Sequence, residues 1–179
     1  MLSDKHIKEA ISTGRIKISP EIDYNTQLGA CSVDLKLGAT FRVFEYSRIP
    51  YVDLREYTSP SEYTQKIVLE PNQPIIIQSK GFILASTEEW IELSDDLAGR
   101  LEGRSSLARL GIIVHSTAGL IDPGWAGKIV MELGNVGVMP VALYPGMRIC
   151  ALTFEQVSSN VEVPYRSKPQ NMYAGQKEP

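Results

Sequence analysis

Three short runs in the second half of this 179-residue chain carry the residue types that chemistry needs. The first is Gly103-Arg104-Ser105-Ser106-Leu107-Ala108-Arg109-Leu110-Gly111, where two arginines bracket two serines on a glycine-hinged turn. Backbone N–H groups at such a turn, with hydroxyls and a guanidinium beside them, suit phosphate oxygens. The same composition also makes an ordinary solvated loop. The second run is Thr117-Ala118-Gly119-Leu120-Ile121-Asp122-Pro123-Gly124-Trp125-Ala126-Gly127. Asp beside Pro-Gly forms turns, and an aromatic closing a turn usually packs in the core. The same hairpin can instead hold a sugar hydroxyl and flank a base. In the third run, Lys128-Ile129-Val130-Met131-Glu132-Leu133-Gly134-Asn135, counting by twos puts Lys128, Val130 and Glu132 on one face of a strand. Ile129, Met131 and Leu133 share the other. Glu132 therefore faces either solvent or a site.

The elements that must position these runs are short. A single helix is expected at the N-terminus, with Ser3 as cap, Asp4 at the positive end of the dipole, Ile7, Ala10 and Ile11 on one face, and Gly14 as stop. From residue 16 onward, runs such as Ile16-Lys17-Ile18, Val33-Asp34-Leu35-Lys36-Leu37, Ile75-Ile76-Ile77, Phe82-Ile83-Leu84, Ile112-Ile113-Val114 and Val141-Ala142-Leu143 alternate with Gly, Pro, Asn and Asp. Ile67-Val68-Leu69 and Ile149-Cys150-Ala151-Leu152 continue the pattern. Many short strands without intervening helices predict an all-β sandwich or barrel in one domain, 1–179. A brief helical turn is expected from Ser105 on. The stretch 164–179 is polar, short of aliphatics, and expected to be mobile.

Composition narrows the partners. The net charge is −3 and the pI about 5.5, with Lys and Arg scattered and no basic run. A nucleic-acid polymer is therefore not the expected ligand, whereas a single nucleotide needs only two or three placed cations. No apolar stretch approaches the roughly 18 residues of a membrane span. Met1-Leu2-Ser3-Asp4-Lys5-His6 lacks the apolar core of a signal peptide, so a cytoplasmic location is expected. Cys31 and Cys150 have the number for one bridge, but read as two unpaired, mostly buried thiols in a reducing compartment. A catalytic zinc site built on a Pro-Cys-x-x-Cys pair also needs a His-x-Glu. Neither is present, because the two cysteines are far apart and His115 is followed by Ser116 and Thr117. His115, between a strand and the next turn, is expected to make a structural hydrogen bond.

In order, spacing and wording, the runs 103–111 and 117–127, and Val130-Met131-Glu132 with Asn135, resemble the dCTP deaminase branch of the dUTPase superfamily. Ser32-Val33-Asp34-Leu35 is similar to the superfamily's first motif. Tyr165 with a polar tail to Gln176, and the Tyr144-Pro145-Gly146-Met147 turn, extend the likeness over nearly the whole chain. The resemblance implies a dUTPase-like distorted β-barrel or jelly roll with a short N-terminal helix, its tail closing over the nucleotide. It implies zinc-independent deamination of dCTP to dUTP and ammonia, with Mg²⁺ carried on the triphosphate. Glu132 matches the general base and acid. An enclosed carboxylate suits that role, because loss of water favours its neutral form and lets it return a proton near neutral pH. Ser105 and the Ala118 carbonyl match the groups that hold the water, and Arg109 the arginine that positions the glutamate. Arg104, Ser105, Ser106, Leu107, Ala108 and Arg109 match the triphosphate cradle, and Asp122 the residue at the deoxyribose 3′-hydroxyl. Val130 and Met131 offer backbone edges to the base; Tyr165 and Gln176 match tail residues over the phosphates. Where the family commonly has a tail lysine this chain has Met172, so either Lys168 or Lys177 takes that charge or the tail grips the phosphates more weakly.

The resemblance also implies a homotrimer with sites at subunit contacts, so that Ser105 and Arg109 would serve a neighbour, and it admits dUTP and dTTP as ligands. A bifunctional enzyme that forms dUMP and pyrophosphate is the nearest alternative: Gly119 resembles that group, and Ala151 the plain deaminases. A plain dUTPase would have a glycine-rich C-terminal motif that this tail lacks, and would leave Glu132 without a purpose. A non-catalytic β-sandwich binding module would have no reason to keep Glu132, Arg109 and Ser105.

Overall fold

Period-two alternation of aliphatic and polar side chains makes this a chain of strands folded round one apolar interior. The computed structural model describes residues 1–45, 49–53, 55, 59–169, 171 and 173–179. Helix α1 (Asp4–Ser12) buries Ile7 and Ala10, with Ile11 packed partly against the core. Ser3 stands at the N-cap position, but its hydroxyl meets His6 Nδ1 at 3.1 Å rather than capping the backbone.

The strands follow: β1 (Ile16–Ser19), β2 (Ser32–Phe44), β3 (Thr64–Val68) directly after the helical turn α2 (Pro60–Tyr63), then β4 (Ile75–Ile77), β5 (Phe82–Leu93) and β6 (Leu97–Gly103). After the single turn α3 (Ser105–Ala108) come β7 (Ile112–Ile113), β8 (Leu120–Ile121), β9 (Ala126–Asn135), β10 (Val141–Leu143) and β11 (Arg148–Gln156). One nine-stranded sheet runs β7-β9-β5-β2-β11-β6-β8, with β1 also on β5 and β3 also on β2; β4 and β10 form a separate pair.

The two long strands let the sheet curl. Strand β2 pairs with β11 through Ser32–Lys36 and with β5 and β3 through its second half. Register shifts interrupt β2 between Leu37 and Phe41, β5 between Ser86 and Trp90, and β11 between Arg148 and Cys150. Extra residues of this kind bend a strand and increase its twist. The concave side is filled by Val33, Leu35, Leu37, Phe41, Ile91, Met131, Leu133, Leu152 and Phe154, all buried, each such side chain contributing roughly 1.5–3 kcal/mol on burial.

The segment after α3 is fastened by backbone contact. Gly111 has φ +92°, and a Cβ there would lie 2.3 Å from the Gly137 nitrogen. Val136 N–H donates to the Gly111 carbonyl at 2.8 Å. Asn135, buried, donates through Nδ2 to the carbonyls of Ile77 and Met139 and accepts Gly137 N–H. Its place in the third run is thus structural.

Candidate active site

Strand β9 has the expected alternation. Lys128, Val130 and Glu132 lie half-buried on one face while Ile129, Met131 and Leu133 are buried on the other. Its backbone edges divide in the same way. Met131 pairs with Ala85 of β5, and Ile129 N–H is taken by Thr87 Oγ1, so the odd-numbered positions are spent on β5. The even-numbered ones face the other side. There Lys128 N–H donates to the Gln176 carbonyl at 2.8 Å and Glu132 N–H to the Val114 carbonyl at 3.2 Å. Val130 sits between them, its N–H and C=O on the same open edge and without a partner among the described residues. At about 3.3 Å per residue the gap from Lys128 to Glu132 is about 13 Å, wide enough for a pyrimidine ring. Of the two expected backbone edges, Val130 offers a free one and Met131 does not.

Glu132 borders that gap. Its Oε2 accepts the Ser116 N–H at 2.7 Å, and Oε1 has no partner among the described residues. The loop that supplies Ser116 also carries Ala118, exposed, with its carbonyl unclaimed among the described residues. Gly119 closes the loop against His115: a Cβ would come within 2.9 Å of the imidazole Cε1. His115 Nδ1 is buried without a hydrogen-bond partner among the described residues, so the structural bond expected for it is absent from the single chain.

The arginine-serine turn divides into a fixed part and a free part. Arg104 Nε lies 3.1 Å from Asp34 Oδ2, and Arg104 also donates to the Arg148 carbonyl at 2.9 Å. Arg148 reaches the same Asp34 oxygen at 3.3 Å. Arg104 is therefore a strut under the turn rather than an open cation, because its guanidinium is already engaged. Leu107 is buried and anchors the turn; Ser105, Ser106, Ala108 and Arg109 are exposed. Arg109 and Glu132, expected side by side, form no ion pair among the described residues, so one chain alone does not bring them together.

The tail lies on its own chain. Tyr165 opens a short 3-10 turn (Tyr165–Ser167), donates its N–H to the Pro123 carbonyl at 2.9 Å, and sets its ring 5.1 Å from that of Trp125. Burial pushes the Tyr165 hydroxyl pKa up. Arg166 forks onto both Asp95 oxygens at 2.5 and 2.7 Å, which holds that carboxyl below the usual range. Lys168 Nζ lies 2.5 Å from Asp122 Oδ2. Gly175 N–H donates to the Ala126 carbonyl, and Gln176 takes Lys128 as described. The stretch expected to be mobile thus has defined contacts in this structure. Met172 lies outside the described residues.

A model of the dCTP deaminase-like family matches residues 1–157. The chain belongs to that family. A dCTP deaminase of Thermomicrobium roseum is 62% identical over 179 residues, covering 100% of this chain and 91% of that protein. A dUMP-forming dCTP deaminase of Methanosphaera stadtmanae is 46% identical over 180 residues, covering 100% and 91%. Among solved structures, a 2′-deoxycytidine 5′-triphosphate deaminase from Agrobacterium tumefaciens gives a TM-score of 0.67 at 20% identity, over 87% of this chain and 48% of that one. The chain thus spans about half of that protein's length, and the likeness speaks for the fold. A mutant dUTPase from phage phi11 of S. aureus gives 0.51 at 10% identity, over 80% and 92%. The all-β, dUTPase-like architecture is the one expected.

The chain also holds a buried polar group outside the three sequence runs. Glu89, 1% exposed, accepts Gln27 Nε2 at 2.8 Å and the Lys36 N–H at 2.9 Å. Burial raises its pKa. Gln27 in turn bonds the Asp34 backbone on both sides, donating to its carbonyl and receiving its N–H. Glu89, Gln27 and Asp34 therefore form one support beneath Arg104. The signal was parity: in β5, Glu89 falls in step with the buried Ile83, Ala85 and Ile91. Cys150 lies buried in the same region, where burial pushes its thiol pKa up; both thiols are unpaired, as expected, but Cys31 is exposed where mostly buried thiols were expected.

Proposed function

We propose that this chain hydrolyses the C4–N bond of the cytosine in Mg²⁺-bound dCTP, giving dUTP and ammonia. The observation that carries the reading is the open edge of β9 at Val130, bordered by a half-buried Glu132 whose Oε2 is fixed by Ser116 N–H and whose Oε1 is free among the described residues. The Val130 N–H suits a ring acceptor of cytosine, and its carbonyl the exocyclic amino group. Glu132 takes a proton from a water held by the Ala118 carbonyl and a Ser105 hydroxyl. The resulting hydroxide adds to C4, and the carboxylic acid returns the proton to the amino nitrogen. The C–N bond then breaks and ammonia leaves. The second proton of the water ends on N3, leaving uracil.

The turn with Ser105 and Arg109 serves the Glu132 of a neighbouring copy in this reading, because within one chain the two are apart. Exposed Leu110, Val136, Val138 and Met139, next to that turn, supply apolar surface for such a contact, and a homotrimer with shared sites is the assembly we propose. The exposed part of the cradle, Ser105, Ser106, Ala108 and Arg109, receives the triphosphate, Asp122 the 3′-hydroxyl, and Tyr165 and Gln176 of the tail cover the phosphates. The metal arrives with the nucleotide. No helix among the described residues is long and apolar enough to cross a membrane, and the cytoplasm is the location we propose.

A second reading, in which the same site also cleaves the triphosphate to dUMP and pyrophosphate, is favoured by relatives at 43–46% identity named dUMP-forming. Incubation with dCTP and Mg²⁺, with ammonia and pyrophosphate followed separately, tests both. Ammonia alone supports the deaminase, ammonia with pyrophosphate the bifunctional enzyme, and neither product removes both.

A further inference from the structure

We propose that Lys168 makes this site selective for triphosphorylated over unphosphorylated deoxycytidine, by occupying the Asp122 carboxylate until a ligand with its own anionic chain draws it away. The inference rests on the reading above in which Asp122 receives the sugar. Lys168 Nζ lies 2.5 Å from Asp122 Oδ2 and 5.5 Å from the Tyr165 ring centre, so it is held between a carboxylate and an aromatic face. Both partners of the ion pair keep contact with water, their side chains being 46% and 33% exposed. Such a pair is weak and parts readily.

The backbone under Lys168 is anchored. Tyr165 N–H is on the Pro123 carbonyl, its ring is on Trp125, Lys168 N–H is on the Tyr165 carbonyl, and Arg166 grips Asp95. Four flexible methylenes then let the ammonium change partners without moving the chain. Arg166 is already committed to Asp95, and Lys177 has no ion pair among the described residues and lies beyond Gln176. Lys168 is the tail cation already stationed at the hairpin.

The exchange has opposite consequences for two ligands. An uncharged nucleoside that takes Asp122 with its 3′-hydroxyl leaves Lys168 without a counter-charge. A triphosphate that takes Asp122 supplies a better one. Lys168→Met should therefore weaken dCTP binding about tenfold or more, the worth of one charge-assisted hydrogen bond, while 2′-deoxycytidine binds as well as before or more tightly. The ratio of the two dissociation constants collapses.

The test is calorimetric titration of dCTP with Mg²⁺, and of 2′-deoxycytidine, into the full chain carrying Glu132→Gln so that substrate is not consumed, with and without Lys168→Met or Lys177→Met. A collapsed ratio in Lys168→Met and an unchanged one in Lys177→Met supports the proposal. An unchanged ratio in Lys168→Met, an equal loss of both ligands, or the whole effect in Lys177→Met overturns it. If the chain with Lys168 intact shows no preference for dCTP, the proposed function itself falls and this inference with it; if the preference is present but indifferent to Lys168, only the inference falls.

Discussion

Replacing Asp34 by Asn removes one charge and almost no volume from the junction on which the arginine-serine turn rests. The carboxylate meets Arg104 at 3.1 Å and Arg148 at 3.3 Å, with side-chain exposures of 20%, 24% and 40%. At an effective dielectric of 20, two unit charges 4 Å apart attract by roughly 4 kcal/mol. Partial solvent screening reduces that gross figure, and the amide keeps one acceptor. Against this, Asn leaves two guanidinium groups facing each other with no anion between them. The net loss expected is about 2 kcal/mol. For a chain of this size the melting temperature should drop by roughly 4–8 °C. Thermal unfolding at fixed protein concentration measures the loss, and a double-mutant cycle with Arg104→Met isolates the pair. A coupling of about 1 kcal/mol or more is expected. An Asn variant that melts within a degree of the parent, or a cycle that is additive, refutes the view that Asp34 is the anchor of this turn.

Two further perturbations follow from other contacts. Gly111→Ala places a Cβ 2.3 Å from the Gly137 nitrogen at φ +92° and should cost about 3 kcal/mol or more, read as a lower urea midpoint; an unchanged midpoint contradicts the close backbone approach described here. The Asp95–Arg166 fork should govern how the tail responds to acid. Because Arg166 holds the Asp95 pKa below its ordinary value of 3.8, the pair's contribution is fully present above that value and is lost only as pH falls through the lowered one. Trp125 fluorescence in a Trp90→Phe background should stay level down to about pH 4 and change below it; a transition already complete at pH 5, unaffected by Arg166→Ala, rules the fork out as its cause.

What could be read from residue order depended on range. The faces of β9 were legible because Lys128, Val130 and Glu132 alternate with three aliphatics, and alternation is a local property. Strand β6 was not, since Leu97–Gly103 contains two glycines and no β-branched residue and owes its place to pairing with β11. Glu89 carries the right parity, but parity alone does not separate a buried acid from a solvated one. Arg104 looked like an open phosphate ligand because its partner, Asp34, is 70 positions away in sequence and only the folded sheet brings the two together. The tail's polar composition pointed to mobility, yet its contacts here are backbone hydrogen bonds and ion pairs, which need no aliphatic residues. For Glu132 and Arg109 the residue order supplies both partners, and only the family resemblance points to a neighbouring copy as the source of one of them; among the described residues of one chain they form no ion pair.

In the proposed reaction Glu132 moves the protons of deamination. Ammonia release from dCTP by Glu132→Gln, measured beside dCTP binding to the same variant, is the decisive check on that role. Amide for carboxylate preserves shape and an acceptor for Ser116 N–H, so binding should stay within roughly tenfold while ammonia release disappears. Continued release of ammonia at a rate near that of the unsubstituted chain would show that another group does this work.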